Sequence, residues 1–420
     1  MKVIVIGGGG REHAIIKKIK ENPEVTALYA LPGNGGIAKD ATCVDIGAKD
    51  IDGVVAFAKE NAIDFAVVAP DDPLVLGMVD ALTEIGIPCF GPDKKAAILE
   101  GSKVFSKDLM KKYGIPTAAY EVFDDMDKAL AYLETAPIPT VIKADGLALG
   151  KGVIIAETKE AAQDAVRSMM ADKVFGDSGN NIVIEEFMTG PEVSVLSFTD
   201  GKTIVPMISA MDHKRAKDGD KGLNTGGMGT IAPNPYYTEA VAQECMDKIF
   251  VPTMEAMNAE GRTFKGCIFF GLMITPNGPK VIEYNCRFGD PETQVVLPLL
   301  ESDLLTIMKA VAEEKLADVE VKFSDKSACC VIMASAGYPE SYEKGFEITL
   351  PENDDLIFIA GAKEADGKLL TNGGRVLGVV ELADTLPEAI AKSYESVKTV
   401  KFDNAFYRND IGKKALEAEV

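Results

Sequence analysis

No apolar stretch in the chain approaches the roughly 20 residues needed to span a bilayer, which argues against a helical membrane protein. Positive charge is also short. Lys and Arg number 44 against 65 Asp and Glu, and the net charge of −21 repels a phosphate backbone, so nucleic acid is not an expected partner. A few local Lys, Arg and backbone N–H groups still suffice for a small phosphorylated molecule. The seven cysteines are odd in number, form no CxxC pair and stand mostly in apolar runs, the pattern of reduced, buried thiols. The N-terminus enters directly as the strand Val3–Ile6 without a signal-peptide layout, so the expected location is the cytoplasm. No fixed-period repeat and no low-complexity segment is present.

What is there is an ordinary globular balance, 47% hydrophobic and 26% charged, in 420 residues, too many for one compact core. Two to four domains are expected. The first hundred residues alternate strand and helix: strand 2–6, helix 11–20, strand 25–30, helix 51–61, strand 65–69, helix 73–85 and strand 87–90. That order predicts an open parallel sheet covered on both faces. Helical stretches over 93–113 follow, with Ser102 as an N-cap. The middle third changes to strands joined by short turns, at 140–143, 153–156, 182–187, 193–198 and 203–208, which implies antiparallel pairing. A helical region at 238–260, strands 267–274 and 280–284, and a helix at 302–315 lead into a strand- and turn-rich tail from Ser327.

Several clusters carry chemistry. Gly7–Gly10 follows the first strand, but the third glycine of a dinucleotide fingerprint falls at Glu12, and no acid follows the second strand. The run either cradles a phosphate with its N–H groups or is a tight turn that needs glycine for steric reasons. Arg11, Glu12 and His13 tilt it towards a polar ligand, although a lone histidine is more often structural. The segment Lys143–Gly152 resembles a Walker loop with one residue too few, no Ser or Thr after Lys151, and a strand where a helix belongs. Strand, glycine loop and strand describe either a hairpin lid over phosphates, with Lys143 as a point charge, or a mobile tip with solvated lysines. Glu185-Glu186-Phe187-Met188, with Glu192 beyond, suits a nucleoside edge as well as a solvated strand end.

The strongest cluster is Val281–Glu292. In a strand Glu283, Asn285 and Arg287 share one face, where a carboxylate and an amide oxygen suit Mg²⁺ and an arginine can stabilise a phosphoryl group in transit. Asp212–Arg215 and Asn224–Gly229 form a further polar, glycine-rich stretch, either a substrate-side loop or a long connection. Arg375 after Gly373-Gly374 is a solvated residue or a phosphate clamp.

The glycine lid, Lys143, Glu185-Glu186-Phe187 and Glu283-x-Asn285-x-Arg287 in this order resemble the ATP-grasp fold. GGGREH, FGP…EGSK, KADGLALGKGV, DHKR, NTGGMG, VIEYNCRFGDPET and TNGGRVLGV together resemble the phosphoribosylamine–glycine ligase family over essentially the whole chain. The resemblance implies an α/β protein of three parts: a pre-ATP-grasp parallel-sheet domain at 1–101, an α+β ATP-grasp domain at 102–325 with a lid about 115–190, and a small β-rich domain at 326–420. It implies ATP-driven formation of a glycyl phosphate and attack by the amine of 5-phosphoribosylamine. ATP would be met by Lys103, Lys143, Gly146, Gly150, Lys151, Gly152, Glu185, Glu186, Phe187, Met188 and Glu192. Glu283 and Asn285 would hold Mg²⁺ or Mn²⁺, and Arg287, Asp212 and Lys214 would act in catalysis. Gly9, Arg11, Glu12, His13, Asn224, Thr225, Gly226, Asp290, Gly374 and Arg375 would meet the other substrates.

Ala69–Pro73 departs from the family's usual Gly-Pro-Glu-Ala-Pro, and Leu223 replaces a usual proline. The second metal-binding carboxylate of many ATP-grasp enzymes is missing from the apolar strand Phe270–Met273, leaving Asp290 or Glu292 to substitute. A transformylase or carboxylase acting on another phosphoribosyl intermediate is the rival enzyme reading. A non-catalytic nucleotide-binding regulator is disfavoured by the presence of both Glu283 and Arg287. A monomer or small homo-oligomer is expected.

Overall fold

The computed structural model describes residues 1–147 and 152–418. The N-terminal part is a five-stranded parallel sheet in the order Thr42–Cys43, Ala27–Pro32, Lys2–Gly7, Phe65–Val68, Cys89–Phe90. Val3–Ile6 are wholly buried, which explains a strand that is apolar throughout rather than alternating. The register sets Gly7 beside Pro32, so the glycine run and the Pro32–Gly36 turn lie together at the carboxyl edge of the sheet. That edge is where open α/β sheets take ligands. The helix expected over 73–85 is two helices, Asp71–Leu76 and Met78–Glu84, because Gly77 between them adopts φ +98°, which favours glycine.

Helices Lys94–Gly101 and Lys103–Tyr113 meet at Ser102, whose hydroxyl accepts from the Phe105 N–H at 3.0 Å, the expected N-cap. Two four-stranded antiparallel sheets follow. One orders Tyr120–Phe123, Ile182–Glu186, Thr140–Ala144 and Val153–Ala156; the other orders Ile204–Pro206, Glu192–Thr199, Gly266–Thr275 and Gly278–Asn285. Thr117 joins them by a bridge to Val281. Lys143 pairs with Val153, so the two strands that flank the glycine segment run antiparallel side by side; residues 148–151 between them, with the expected ATP contacts Gly150 and Lys151, lie outside the described residues. The helical stretch 238–260 is interrupted by a π-helical turn at Met246–Phe250, immediately before Pro252.

The last sheet contains Met211–Asp212, Gly229–Ala232, Ser327–Ser335, Arg375–Ala383 and Ile357–Ile359, with Ala405–Phe406 against Ser327–Ser335. Its first two strands come from the middle of the chain. The 211–232 segment, central in sequence order, therefore hydrogen-bonds into the sheet of the C-terminal residues. The parts share one core in which Val3, Phe198, Leu304 and Cys330 all take part. Within it Phe90, Phe198 and Phe288 stack pairwise at 6.0–6.3 Å between ring centres, fixing the residue next to Arg287 from two sides. Six cysteines are buried as expected, whereas Cys43 is exposed. Among the described residues no helix is long and apolar enough to cross a membrane.

Candidate active site

One part of the candidate site is built on the buried lysines Lys107 and Lys143. Val141 stands opposite Glu185 and Lys143 opposite Val183, so Lys143 and Glu185 share a face of their sheet. Lys143 Nζ lies 3.0 Å from Glu185 Oε1 and donates to the Ile282 carbonyl at 3.1 Å. Lys107 Nζ lies 3.2 Å from Glu185 Oε2 and donates to the Thr117 hydroxyl at 2.7 Å, and that hydroxyl donates to the Val281 carbonyl. Burial depresses Lys107 to about 8 against the pull of Glu185. Glu185, expected to frame the adenosine, is buried with each oxygen in ion-pair contact with a lysine, since two buried ammonium groups need a counter-charge. Lys103 donates to the Gly146 carbonyl at 2.8 Å, which ties the helix start to the lid hairpin. Burial lowers Lys103 as well. Glu186 pairs with Lys280 at 3.0 Å, Phe187 is exposed at the strand end, and Met188 is half-buried. Gly152 accepts from the Ala144 N–H at the base of the hairpin.

Strand Gly278–Asn285 lies beside this part. Lys214 stands 3.4 Å from Glu192 and 3.7 Å from Glu283, joining the 212–229 segment to both strands. Burial pushes Glu283 up, but Lys214, Lys143, Lys103 and Arg287 outweigh it and hold the carboxyl below its ordinary range. An ionised Glu283 beside the Asn285 amide fits a hard divalent cation that takes its remaining ligands from phosphates and water. Gly271 lies opposite Glu283, and a side-chain carbon there would meet Glu283 Cγ at 3.1 Å, so no second carboxylate faces it from that strand. Of the two expected substitutes, Asp290 is engaged by Gln294 and Arg375, whereas Glu292 accepts only the Ser194 hydroxyl from another side chain; no group of three His, Cys, Asp or Glu residues forms a metal cluster among the described residues.

Arg287 donates to Asn285 Oδ1 at 3.0 Å and pairs with Glu100 at 3.0 Å. Glu100 also accepts from the Cys286 N–H at 2.7 Å, so one buried carboxylate sets both the strand end and the guanidinium. Glu100 escaped the sequence reading, although it opens the EGSK motif. Asp290 accepts from Gln294 at 2.7 Å and stands 3.6 Å from Arg375 Nη2; the Arg11 N–H points to it at 3.5 Å. Burial would raise Asp290, and Arg375 and Arg11 hold it down instead. Arg375 donates to the Gly226 carbonyl at 2.8 Å and the Asp290 carbonyl at 2.9 Å, drawing three distant segments to one junction. Thr225 closes the loop by its N–H and hydroxyl to the Lys214 carbonyl, beside Asn224 opposite Arg215. Tyr338, also missed, donates no charge but accepts from the Gly226 N–H at 3.0 Å and packs on Gly374, where any side-chain carbon would lie 2.1 Å from its ring.

At the N-terminal edge Gly9 caps its helix, and Glu12 accepts from the Gly9 N–H at 2.6 Å and from Arg11 Nε at 2.7 Å. Arg11 also reaches the Phe288 carbonyl. His13, expected to touch substrate, is buried with both ring nitrogens in use. Nδ1 accepts from the Ile359 N–H at 2.8 Å, which leaves Nε2 to donate to Asp40 at 3.0 Å. Glu12 and His13 therefore shape the edge from behind. A cleft of about 410 Å³ opens beside it, lined by Gly8, Asn34, Lys363 and Asn372 among others. Asn34, a third omission of the sequence reading, orders the Pro32–Gly36 turn by accepting from Gly36 and Ile37 and donating to Gly8 and Ile359.

Paired strands with buried lysines at their end, beside a strand with Glu283, Asn285 and Arg287, have the arrangement of an ATP-grasp enzyme. Comparison with known proteins is specific. Residues 1–100, 101–293 and 328–414 match the N domain, the ATP-grasp (A) domain and the C domain of phosphoribosylglycinamide synthetase. The chain is 48% identical to the phosphoribosylamine–glycine ligase of Clostridium acetobutylicum over 98% of this chain and 100% of that one, and 46% identical to that of Vibrio parahaemolyticus over 100% and 99%. The crystal structure of phosphoribosylamine–glycine ligase from Thermotoga maritima matches with a TM-score of 0.86 at 36% identity, covering 98% of this chain and 100% of that one. A biotin carboxylase domain from Hydrogenobacter thermophilus matches with a TM-score of 0.74 at 15% identity over 96% and 91%, a likeness of fold alone. The chain belongs to the phosphoribosylamine–glycine ligase family, and its class is that of an ATP-dependent, C–N bond-forming ligase.

Proposed function

We propose that this chain joins glycine to 5-phosphoribosylamine, giving glycinamide ribonucleotide, ADP and phosphate in purine biosynthesis. The γ-phosphoryl group of ATP passes to the glycine carboxylate. The amine of phosphoribosylamine attacks the resulting acyl phosphate, loses a proton and expels phosphate. Lys143 and Lys103 meet the ATP phosphates, with Gly146, Gly150, Lys151 and Gly152 closing from the lid and Glu186, Phe187, Met188 and Glu192 along the nucleoside. Glu283 and Asn285 hold Mg²⁺ or Mn²⁺, which when bound neutralises phosphate charge. Arg287, preset by Glu100, faces the transferring group.

The observation that carries this reading is the junction at Asp290. There Arg11, Gly226 and Arg375 converge beside the Glu283 strand, next to a cleft large enough for a sugar phosphate. The test is phosphate release on mixing ATP, Mg²⁺ and freshly made phosphoribosylamine with glycine, other small amino acids, formate or bicarbonate. Release that requires glycine supports the reading, and release with formate or bicarbonate in its place supports a transformylase or carboxylase.

A further inference from the structure

Two lysines share Glu185, and the roles above use only one of them. Lys143 meets an ATP phosphate in the ligase reading, whereas Lys107 has no part in it. Lys107 stands one turn after Lys103 on helix Lys103–Tyr113. It is 2% exposed and Glu185 is 3% exposed, so neither charge is screened by water. Each lysine is also tied to a neighbouring carbonyl of strand Gly278–Asn285: Lys143 directly to Ile282, and Lys107 to Val281 through the Thr117 hydroxyl. The two holds on Glu185 lie at 3.0 and 3.2 Å. Glu185 Oε1, the oxygen facing Lys143, accepts no hydrogen bond, so Lys143 is kept there by charge alone.

The cluster therefore holds two ammonium groups and one carboxylate. The adjacent acid, Glu186, is taken by Lys280. With Lys107 in place, Glu185 keeps a counter-charge when Lys143 turns to an anion. Without Lys107, the remaining pair cancels, and drawing Lys143 away would leave a buried carboxylate uncompensated.

We propose that Lys107 is a positioning residue for ATP, which neutralises Glu185 and so frees Lys143 to meet a phosphate. It acts through Glu185 and rests on the reading that Lys143 binds ATP. The arrangement is sensitive to alkaline pH. Lys107 is faced by Glu185 and Glu186 from strand Ile182–Glu186, by Lys143 from Thr140–Ala144, and by the Tyr120 ring, which Lys111 and Asp108 of its own helix also reach. Burial lowers Lys107, the two acids raise it and Lys143 lowers it further, to a balance at about 8. Burial and Asp108 push the Tyr120 phenol up, so it stays neutral in this range. A lysine is charged below its pKa, so the counter-charge is present at pH 7 and is lost as pH passes 8.

The test uses the full chain. For Lys107→Met near pH 7, the KM for ATP should rise about tenfold or more, with kcat at saturating ATP within about twofold. Lys107→Arg, charged at every accessible pH, should restore most of that loss. The value of kcat/KM for ATP reports ionisations of the free enzyme, so the ratio of wild type to Lys107→Arg should fall above about pH 8. Lys103 is present in both proteins, and its own titration cancels in the ratio. Adding Glu185→Gln to Lys107→Met should recover ATP affinity, because no buried carboxylate then retains Lys143; a role in packing alone predicts a further loss. An unchanged ATP KM in Lys107→Met overturns the proposal, as does a double variant weaker than the single one. If methionine prevents folding, the pH ratio decides alone, and a constant ratio overturns the proposal. A wild type that binds no ATP with Mg²⁺ in calorimetry defeats the ligase reading itself, and the proposal with it.

Discussion

Glu185 and Glu292 are equally buried, yet their surroundings are opposite. Glu185 lies between Lys143 and Lys107 in ion-pair contact with both, whereas Glu292 has one hydroxyl and no cation. The first arrangement has its counter-charge in the free protein: a carboxylate sits between two lysines before any phosphate arrives. The second is incomplete, and its cost is relieved only by a proton or a bound cation. Burial alone thus does not mark a functional acid. Burial without a charge partner marks a group whose ionised form the fold disfavours.

Replacing the two acids separates the cases most widely. Glu185→Leu strands two buried ammonium groups and should lower unfolding free energy by about 3–5 kcal/mol, read from denaturant midpoints. Glu292→Leu removes an uncompensated group and should leave ligand-free stability unchanged or higher. Equal losses would erase the distinction.

His213 carries the comparison into pH. Its ring accepts from the Gly412 N–H and contacts the Gly229 carbonyl, and burial depresses it to about 4 from an ordinary 6.5. A depressed histidine contributes its stability above pH 6.5 and loses it progressively as pH falls to 4. The buried ring is therefore worth about 3 kcal/mol of acid sensitivity. His213→Gln should flatten stability between pH 6.5 and 4, and an unaltered slope would assign that sensitivity to other groups.

The remaining two predictions concern activity. Glu283→Gln keeps the shape but removes the charge facing the phosphates, and turnover should fall by about 100-fold or more. Arg375→Lys loses the planar fork that reaches Gly226 and Asp290, and the affinity for phosphoribosylamine should drop by about tenfold while ATP affinity holds. Titrations against each substrate distinguish this from a general loss of folding.

The same contrast explains what was legible in the sequence. Val3–Ile6 and Glu283-Asn285-Arg287 declared themselves because strand periodicity is local and the residue types are unusual together. Gly77 looked like part of a helix, since nothing local shows that its φ is positive. The pairing of 211–232 into the C-terminal sheet was hidden, because these are short strands whose partners lie about a hundred residues away. The charge partners of Glu100 and Lys107 lie far along the chain, and His13 looked available because its partners Asp40 and Ile359 are distant in sequence. Residue types marked the centre of the site, and tertiary contacts decide which of its charges are free.

The most direct test of the account is the stoichiometry of the complete reaction. With ATP, Mg²⁺, glycine and phosphoribosylamine, the purified chain should form one ADP, one phosphate and one glycinamide ribonucleotide per turnover, measured by coupled assay and mass spectrometry. Omitting either glycine or phosphoribosylamine should abolish product. Phosphate release that proceeds without glycine, or product that carries a formyl or carboxyl group in place of glycyl, would contradict it.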